Sequence, residues 1–244
     1  MKIIVFIVAS VLFTGTSSAQ INYGAARAPT TTVGISYSMI DFAFVRDEAM
    51  DASFSFEDPA YGIFYSRPGF SVSLMRGTSS VGDDEDLILL DGAIAAWVSI
   101  RPFKDLQDKS LDIFFPIGIS SDYRKITKKG GPTDADVFEV TVLAIGAGLG
   151  IATGIAGSDL LIRAMPSYGI ASRSFGNDTG TSAVLIADVE WASGLINDRF
   201  GVFFSYGYRW QNWTLSASIV PGAGDAGDFK YEGSHHSFQV GITF

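Results

Sequence analysis

The sequence of 244 residues has no cysteine, only two histidines and few basic residues. Without cysteine, neither disulfides nor thiolate metal sites contribute to its stability. Lys and Arg number 17 against 26 Asp and Glu, which gives a formal net charge of −9. A chain with this excess of negative charge is a poor partner for nucleic acid, and we expect no such partner. No motif indicates a cofactor, and we expect none.

Long apolar runs are also scarce. One covers Ile3–Phe13, behind the positive Lys2 and before the small residues 17–19. An apolar core this short does not span a membrane, and the order of its parts is typical of a cleaved secretory signal peptide. We therefore expect residues 1–19 to be removed on export and residues 20–244 to form the mature domain.

A second uncharged stretch, 140–158, admits three interpretations: a spanning helix, a glycine-rich nucleotide loop, or a β-strand. Gly146, Gly150 and Gly154 are spaced as on a helix-dimer face. However, each interior glycine costs a helix about 1 kcal/mol relative to alanine, and the nucleotide motif lacks its third glycine. The stretch also begins in clear strand alternation, so we favour the strand.

What the chain has in place of long runs is alternation with the period of a β-strand. Pro116 and Pro166 interrupt two of the alternating segments, and the second and third segments are short, so eight strands stay possible beside ten. A change of parity near Leu143 and Ala144 predicts a β-bulge. The ten segments are residues 31–44, 60–66, 70–74, 87–101, 111–123, 138–155, 160–173, 182–191, 200–210 and 234–244.

The faces and connections of these segments favour lipid over water. The face opposite the apolar one is rich in Gly and Ser, where a soluble protein would carry many Lys and Glu. Short connections (67–69, 156–159 and 192–199) alternate with long ones (45–59, 76–86, 122–136, 173–182 and 212–232), and the connection 102–110 is intermediate in length. The sequence therefore predicts an all-β, antiparallel, up-and-down transmembrane β-barrel. A soluble secreted β-barrel is the alternative.

The last strand sets Phe238, Val240, Ile242 and Phe244 on one face. This ending resembles the C-terminal signal of bacterial outer-membrane β-barrels, which the barrel-assembly machinery reads. In architecture the chain is similar to the small OmpA- and OmpW-like barrels, and the resemblance identifies no subfamily. The resemblance implies a place in the bacterial outer membrane, contact with lipid and lipopolysaccharide, and a structural or small-solute pore or binding role. It leaves the oligomeric state open.

Charged residues on the face opposite the apolar one are predicted to point into the barrel. One interpretation is an ion-pair network that plugs a narrow lumen, and the other is a set of separate charges that line a small pore. A hairpin of the seventh and eighth strands brings Arg163 near Glu190, and the glycines of 146–150 leave room for Trp97 or Arg163. The predicted interior charges are Asp91, Asp112, Glu139, Arg163, Asp188, Glu190 and Arg209.

His235 and Ser237 are the one catalytic-looking pair, because a base and a hydroxyl share a face near the outer rim. The small lipid A deacylase barrels are similar in carrying a His-x-Ser on a strand and a Glu further along. Here no acidic residue follows Ser237, so the triad lacks its third member. We expect no enzyme activity, with lipid A hydrolysis as the alternative, and two rim histidines near lipid headgroups as the simpler interpretation.

The acidic run that holds Asp83, Asp84 and Asp86 predicts a solvated loop, with a divalent-cation site as the alternative.

Aromatic residues near strand ends predict interfacial girdles, with a carbohydrate-binding platform as the alternative. These aromatic residues are Tyr123, Phe138, Trp210, Trp213 and Tyr231 toward the outside, and Trp191, Phe200 and Phe244 toward the periplasm.

Overall fold

A computed structural model describes residues 31–46, 54–81, 85–102, 111–128, 137–155, 157–173, 178–193, 200–215 and 229–244. The predicted signal peptide lies outside these residues. None of the described residues forms a helix long and apolar enough to cross a bilayer. The glycine-rich stretch is strand on both sides of Gly148, so its interpretations as a helix and as a nucleotide loop are wrong.

Ten antiparallel strands form a closed barrel, built from twelve segments. Two of the ten strands are each divided into two segments. One consists of β2 and β3, which both pair with β1, and the other consists of β7 and β8, which both lie between β6 and β9. The alternative of eight strands is therefore excluded. The segments are β1 Thr32–Arg46, β2 Phe54–Phe56, β3 Pro59–Arg67, β4 Phe70–Val81, β5 Glu85–Ile100, β6 Leu111–Lys128, β7 Val137–Ala147, β8 Leu149–Ile155, β9 Ser158–Arg173, β10 Asp178–Ala192, β11 Gly201–Leu215 and β12 Phe229–Thr243.

The pairing register fixes the tilt of the strands. Paired residues traced once around the barrel from Thr32 lead back to β1 at Phe44, a stagger of 12 residues. A stagger close to the strand number tilts the strands by about 35–45° from the barrel axis. Long strands are therefore needed to cross a bilayer, and most of these strands have 15 or more residues.

The bulge predicted near Leu143 and Ala144 is absent. These residues pair with Ser121 and Ser120 in the same register as their neighbours. The wall is interrupted at Gly148 instead, which donates its N–H to the carbonyl of Pro116 at 2.9 Å. Because proline has no N–H, it returns no hydrogen bond to Gly148. The backbone keeps its parity, and only the hydrophobic pattern changes.

The outer face carries a broad apolar band. Ile117, Val189, Phe204 and Ile242 point outward and are 39–54% exposed. The row of β12 that ends at Phe244 lies on the same face, with Phe238, Val240, Ile242 and Phe244 all exposed. In a transmembrane barrel, apolar side chains point outward and small or polar side chains point inward, as they do here. The soluble alternative places these rows toward a dry centre, which is not observed.

The two ends of the barrel differ. At the turn end lie the tight turn with Gly69 (φ 77°), the turn with Gly157 (φ 81°), and the pairing of Thr31 with Phe244. We call the opposite end, where β1 ends and β12 begins, the loop end. The apolar band covers the exterior next to the turn end, and the exterior near the loop end is polar. The outward polar residues there are Asp41, Arg76, Lys125, Glu139, Asn212, Lys230 and Glu232.

The interior changes in the opposite sense. Next to the turn end it holds hydroxyl, amide and charged groups such as Ser36, Asp112, Arg163 and Gln239. Next to the loop end it is an apolar core. We call these two parts the turn-end section and the loop-end section. The core of the loop-end section consists of Ile40, Phe42, Phe56, Leu87, Leu89, Ile126, Val140, Val142, Ala171, Val184, Trp213 and Tyr231.

Candidate functional site

The β9–β10 hairpin supplies the first interior charge group. Arg163 pairs in register with Asp188, and its Nε and Nη2 donate to the same Oδ1 at 3.0 and 2.8 Å. Glu190 lies further away, with its Oε1 3.8 Å from Nη2. The guanidinium stands 3.9 Å from the ring of Trp97. Arg163 is thus held on one side by carboxylates and on the other by an aromatic face.

A second group lies where the turn-end section meets the loop-end section. Arg124 donates to Asp91 from Nε at 2.7 Å and from Nη2 at 2.5 Å, and its Nη1 donates to the hydroxyl of Tyr231. The same guanidinium lies 5.2 Å from the ring of Phe42. Burial of this pair inside the barrel makes the removal of either partner costly, because it leaves the other charge uncompensated.

Asp122 belongs to the same level of the interior. Its Oδ1 lies 2.8 Å from Nη1 of Arg209, and its Oδ2 accepts a hydrogen bond from Gln211 at 2.9 Å. A separate pair near the turn end joins Arg101 to Asp112 at 2.6 Å, above the ring of Phe114. The interior charges therefore form discrete groups at different depths of the barrel.

The structure places six of the predicted interior charges inside, and one outside. Asp91, Asp112, Arg163, Asp188, Glu190 and Arg209 face the interior. Glu139 lies on the outer face, 3.8 Å from Lys125 on the neighbouring strand. Its prediction as an interior charge is wrong, because Val140 and Val142 are the residues that fill the interior at this level.

Four further residues face the interior that were not predicted there: Arg101, Asp122, Arg124 and Gln211. The predicted strand ended at residue 123 and the predicted loop began at residue 122, whereas β6 runs to Lys128. A signal was present, since Ser120, Asp122, Arg124 and Ile126 continue the inward parity of the strand. The charges of Asp122 and Arg124 suggested the start of a loop, but both side chains are buried inside the barrel.

A cavity of about 130 Å³ lies between the Arg163 group and the Asp122–Arg209 pair. Polar side chains from β6, β9, β10, β11 and β12 line it together with apolar and serine side chains from β3, β4 and β5. The charged, imidazole and amide groups in its wall are Asp122, Arg163, Asp188, Glu190, Arg209, His235 and Gln239, and hydroxyl groups, among them that of Ser237, lie between them. A concave site with a few convergent polar groups is the usual form of a small-molecule site.

His235 and Ser237 line this cavity, and their prediction as rim residues is wrong. His235 is 6% exposed, and neither ring nitrogen has a hydrogen-bond partner among the described residues. The hydroxyl of Ser237 donates to the carbonyl of Gly207 at 3.4 Å. His236 is the outward histidine, with its Nδ1 2.8 Å from the hydroxyl of Tyr206. The two catalytic candidates thus share a wall, inside the barrel and away from lipid headgroups.

The aromatic residues divide between the two faces. Trp191, Phe200 and Phe244 are exposed on the outer face near the turn end. Trp213 and Tyr231 are 1% and 2% exposed in the interior, so their prediction as girdle residues is wrong. Their rings stack with centroids 4.6 Å apart. Toward the loop end, Tyr123 and Trp210 lie on the outward rows, and the side chain of Phe138 lies outside the described residues.

The acidic-loop prediction lies beyond what the structure describes. Asp83 and Asp84 fall outside the described residues, as does the side chain of Asp86. Among the part of the chain that is described, no group of three or more His, Cys, Asp or Glu side chains is placed to hold a metal ion.

No family model and no curated protein matches this chain. Similar solved structures are bacterial outer-membrane barrels. They include the outer membrane protease OmpT from Escherichia coli (10% identity, 90% of this chain and 98% of that chain, TM-score 0.42), the translocator domain of autotransporter NalP from Neisseria meningitidis (10%, 98% and 96%, TM-score 0.37), and Ail of Yersinia pestis (10%, 89% and 100%, TM-score 0.25). Likenesses at this level do not bear on the chemistry of this interior.

Proposed function

We propose that this chain is a small bacterial outer-membrane barrel, of the OmpA- or OmpW-like kind, whose lumen is closed and whose turn-end section holds a small polar solute. The observation that carries the proposal is the core of the loop-end section. Phe42, Phe56, Trp213 and Tyr231 are each 2% exposed or less, although they stand where an open pore would have water.

The aromatic side chains of this core pack in sequence along four neighbouring strands, β11, β12, β1 and β2, on the inner side of the wall. Phe56 stacks on Phe42 with ring centroids 6.4 Å apart, Phe42 on Tyr231 at 5.3 Å, and Tyr231 on Trp213 at 4.6 Å. Arg124 extends from β6, on the opposite side of the barrel, donates to the Tyr231 hydroxyl and pairs with Asp91. A hydrated ion therefore meets aromatic rings and a neutralised guanidinium in place of a water-filled path.

The membrane assignment rests on the outer face. The apolar band, the exposed row that ends at Phe244 and the polar exterior beyond the band match the demands of a bilayer and its two surfaces. On this proposal the band contacts lipid, the outward polar residues near the loop end contact lipopolysaccharide, and the barrel-assembly machinery inserts the chain. We propose no catalytic role for His235 and Ser237, because no acidic side chain forms a hydrogen bond with His235 among the described residues.

Planar-bilayer recording tests the closed lumen. The wild-type barrel is expected to show no steady conductance. The double variant Phe42→Ala/Tyr231→Ala removes two adjacent rings of the plug and is expected to conduct, if its heat-shifted gel mobility shows a folded barrel. Trp210→Ala, which removes a ring from the outer face of β11, is the control and is expected to stay silent. Steady conductance of the wild type would contradict the proposal.

A further inference from the structure

The cavity carries more negative than positive side chains. Its wall contains three carboxylates, Asp122, Asp188 and Glu190, and two guanidiniums, Arg163 and Arg209. Asp122 and Arg209 lie 2.8 Å apart and balance each other. The surplus therefore falls on the other group, where two carboxylates on one face of β10 share the single guanidinium of Arg163.

Glu190 is the carboxylate left without a close cation. Arg163 already gives Nε and Nη2 to Asp188, and the ring of Trp97 at 3.9 Å holds its guanidinium plane in place. The contact from Nη2 to Glu190 is 3.8 Å long, and Glu190 also lies within hydrogen-bond distance of the Asp188 carboxylate, so two acidic groups crowd together beside one guanidinium. A carboxylate inside a barrel is stabilised by a cation at hydrogen-bond distance, and at 3.8 Å that stabilisation is incomplete.

His235 supplies a second and independent observation. Its imidazole is more than nine-tenths buried and lines the same cavity, yet neither ring nitrogen has a hydrogen-bond partner among the described residues. An imidazole has two ring nitrogens that form hydrogen bonds, and native structures rarely bury both without partners. A ligand in the cavity would supply such a partner.

We propose that the cavity binds a small organic cation, with its ammonium or guanidinium group against Glu190 and a polar group at its other end hydrogen-bonded to His235. The inference rests on the proposed function, because it requires a closed interior that retains a solute. The volume of about 130 Å³ limits the ligand to about six non-hydrogen atoms, since a cavity of about 150 Å³ holds benzene.

The chain's two histidines make a direct test possible. In barrels labelled with ¹⁵N-histidine, His236→Gln identifies the imidazole signals of His235. The probe is 4-amino-1-butanol, compared with 1,4-butanediol as its neutral counterpart and 4-hydroxybutyrate as its anionic one. We expect a saturable shift of the His235 signals with the amine alone, and a dissociation constant at least tenfold higher in Glu190→Gln.

Glu139→Gln is the matched control, because it removes the same charge from the outer face and is expected to bind the amine as the wild type does. Heat-shifted gel mobility confirms that each variant is folded. The proposal is overturned if butanediol shifts the His235 signals as strongly, if the amine gives no saturable shift, or if Glu190→Gln binds it unchanged. Loss of this binding in a barrel that does not conduct ions refutes the cation site alone, whereas steady conductance refutes the closed lumen.

Discussion

The turn-end and loop-end sections of this barrel use the same strands with opposite polarity. On β1, Ile35 points outward in the turn-end section and is 68% exposed, while Ser36 points inward and is 4% exposed. A few residues further along, Phe42 points inward at 1% and the exposed Asp41 points outward. The backbone alternates without a break, so the solvent on each side decides which residue type each face requires.

A barrel with an apolar band outside can therefore contain, in its loop-end section, a buried apolar core of the kind that soluble proteins have. Where hydrocarbon surrounds the wall, burial of apolar side chains in the lumen is not required, and glycine, serine and ion pairs occupy it beside a few aromatic rings such as Phe64, Phe114 and Phe203. Where water surrounds the wall, an apolar interior gains the hydrophobic effect that holds soluble barrels together. On the function proposed above, the side chains of the loop-end section that stabilise the barrel are also the ones that close its lumen.

The largest expected effect comes from the loop-end core. Trp213→Ala empties a site that is 1% exposed and breaks the stack with Tyr231. We expect a loss of about 3–5 kcal/mol in the free energy of unfolding, as for other buried Trp→Ala substitutions. Urea unfolding in lipid vesicles measures it. Trp210→Ala, three residues away on the outer face, should cost about 1 kcal/mol or less, and equal losses would argue against a distinct core.

The lipid-facing rows give the next effect. Ile35→Arg puts a charge in the middle of the apolar row of β1, and we expect a loss of about 2–4 kcal/mol. Ala43→Arg makes the same kind of change on the same face of the same strand, beyond the band and opposite Glu232. It should change the free energy of unfolding by less than about 1 kcal/mol. If both substitutions cost the same, the band does not end between the two positions.

The smallest effect concerns the filling of the turn-end section. A Cβ on Gly118 would lie 2.8 Å from Cβ of Trp97 and 2.6 Å from the carbonyl of Ala96, so Gly118→Ala should cost about 1–3 kcal/mol through overpacking. A Cβ on Gly154 meets nothing within 4 Å. Gly154→Ala should therefore be neutral or slightly stabilising. A neutral Gly118→Ala in the same unfolding assay would show that Trp97 is free to move.

The sequence predicted the turn-end section well, because alternation and an apolar-outward rule were both valid there. Ile117, Val189, Phe204 and Ile242 point outward as expected. The same rule failed in the loop-end section, where it predicted that Val140 points outward, whereas Val140 is buried in the interior. The change of parity at Leu143 and Ala144 was real in the hydrophobic pattern, and it marks the level at which the surroundings change from lipid to water.

The site was less predictable than the fold. Alternation showed that Arg163, Asp188 and Glu190 share the interior, and pairing of the seventh and eighth strands brought Arg163 near Glu190. It did not show how deep a residue lies, which depends on the stagger of all ten strands around the barrel. For this reason His235 was expected near the rim, Arg124 was expected in a loop, and Asp122 was expected where the predicted strand passes into that loop.

The seam between β1 and β12 has a consequence for how the molecule forms. Thr32 pairs with Thr243, and all the pairs between β1 and β12 join residues that are far apart in the chain. Contacts of such long range carry a high entropic cost before they return any energy, so closure is expected to be late and slow. Until β12 pairs with β1, the edge of β1 has unpaired backbone groups and lies in a sheet with an apolar face. Such an edge favours self-association, which a factor that assists membrane insertion would prevent.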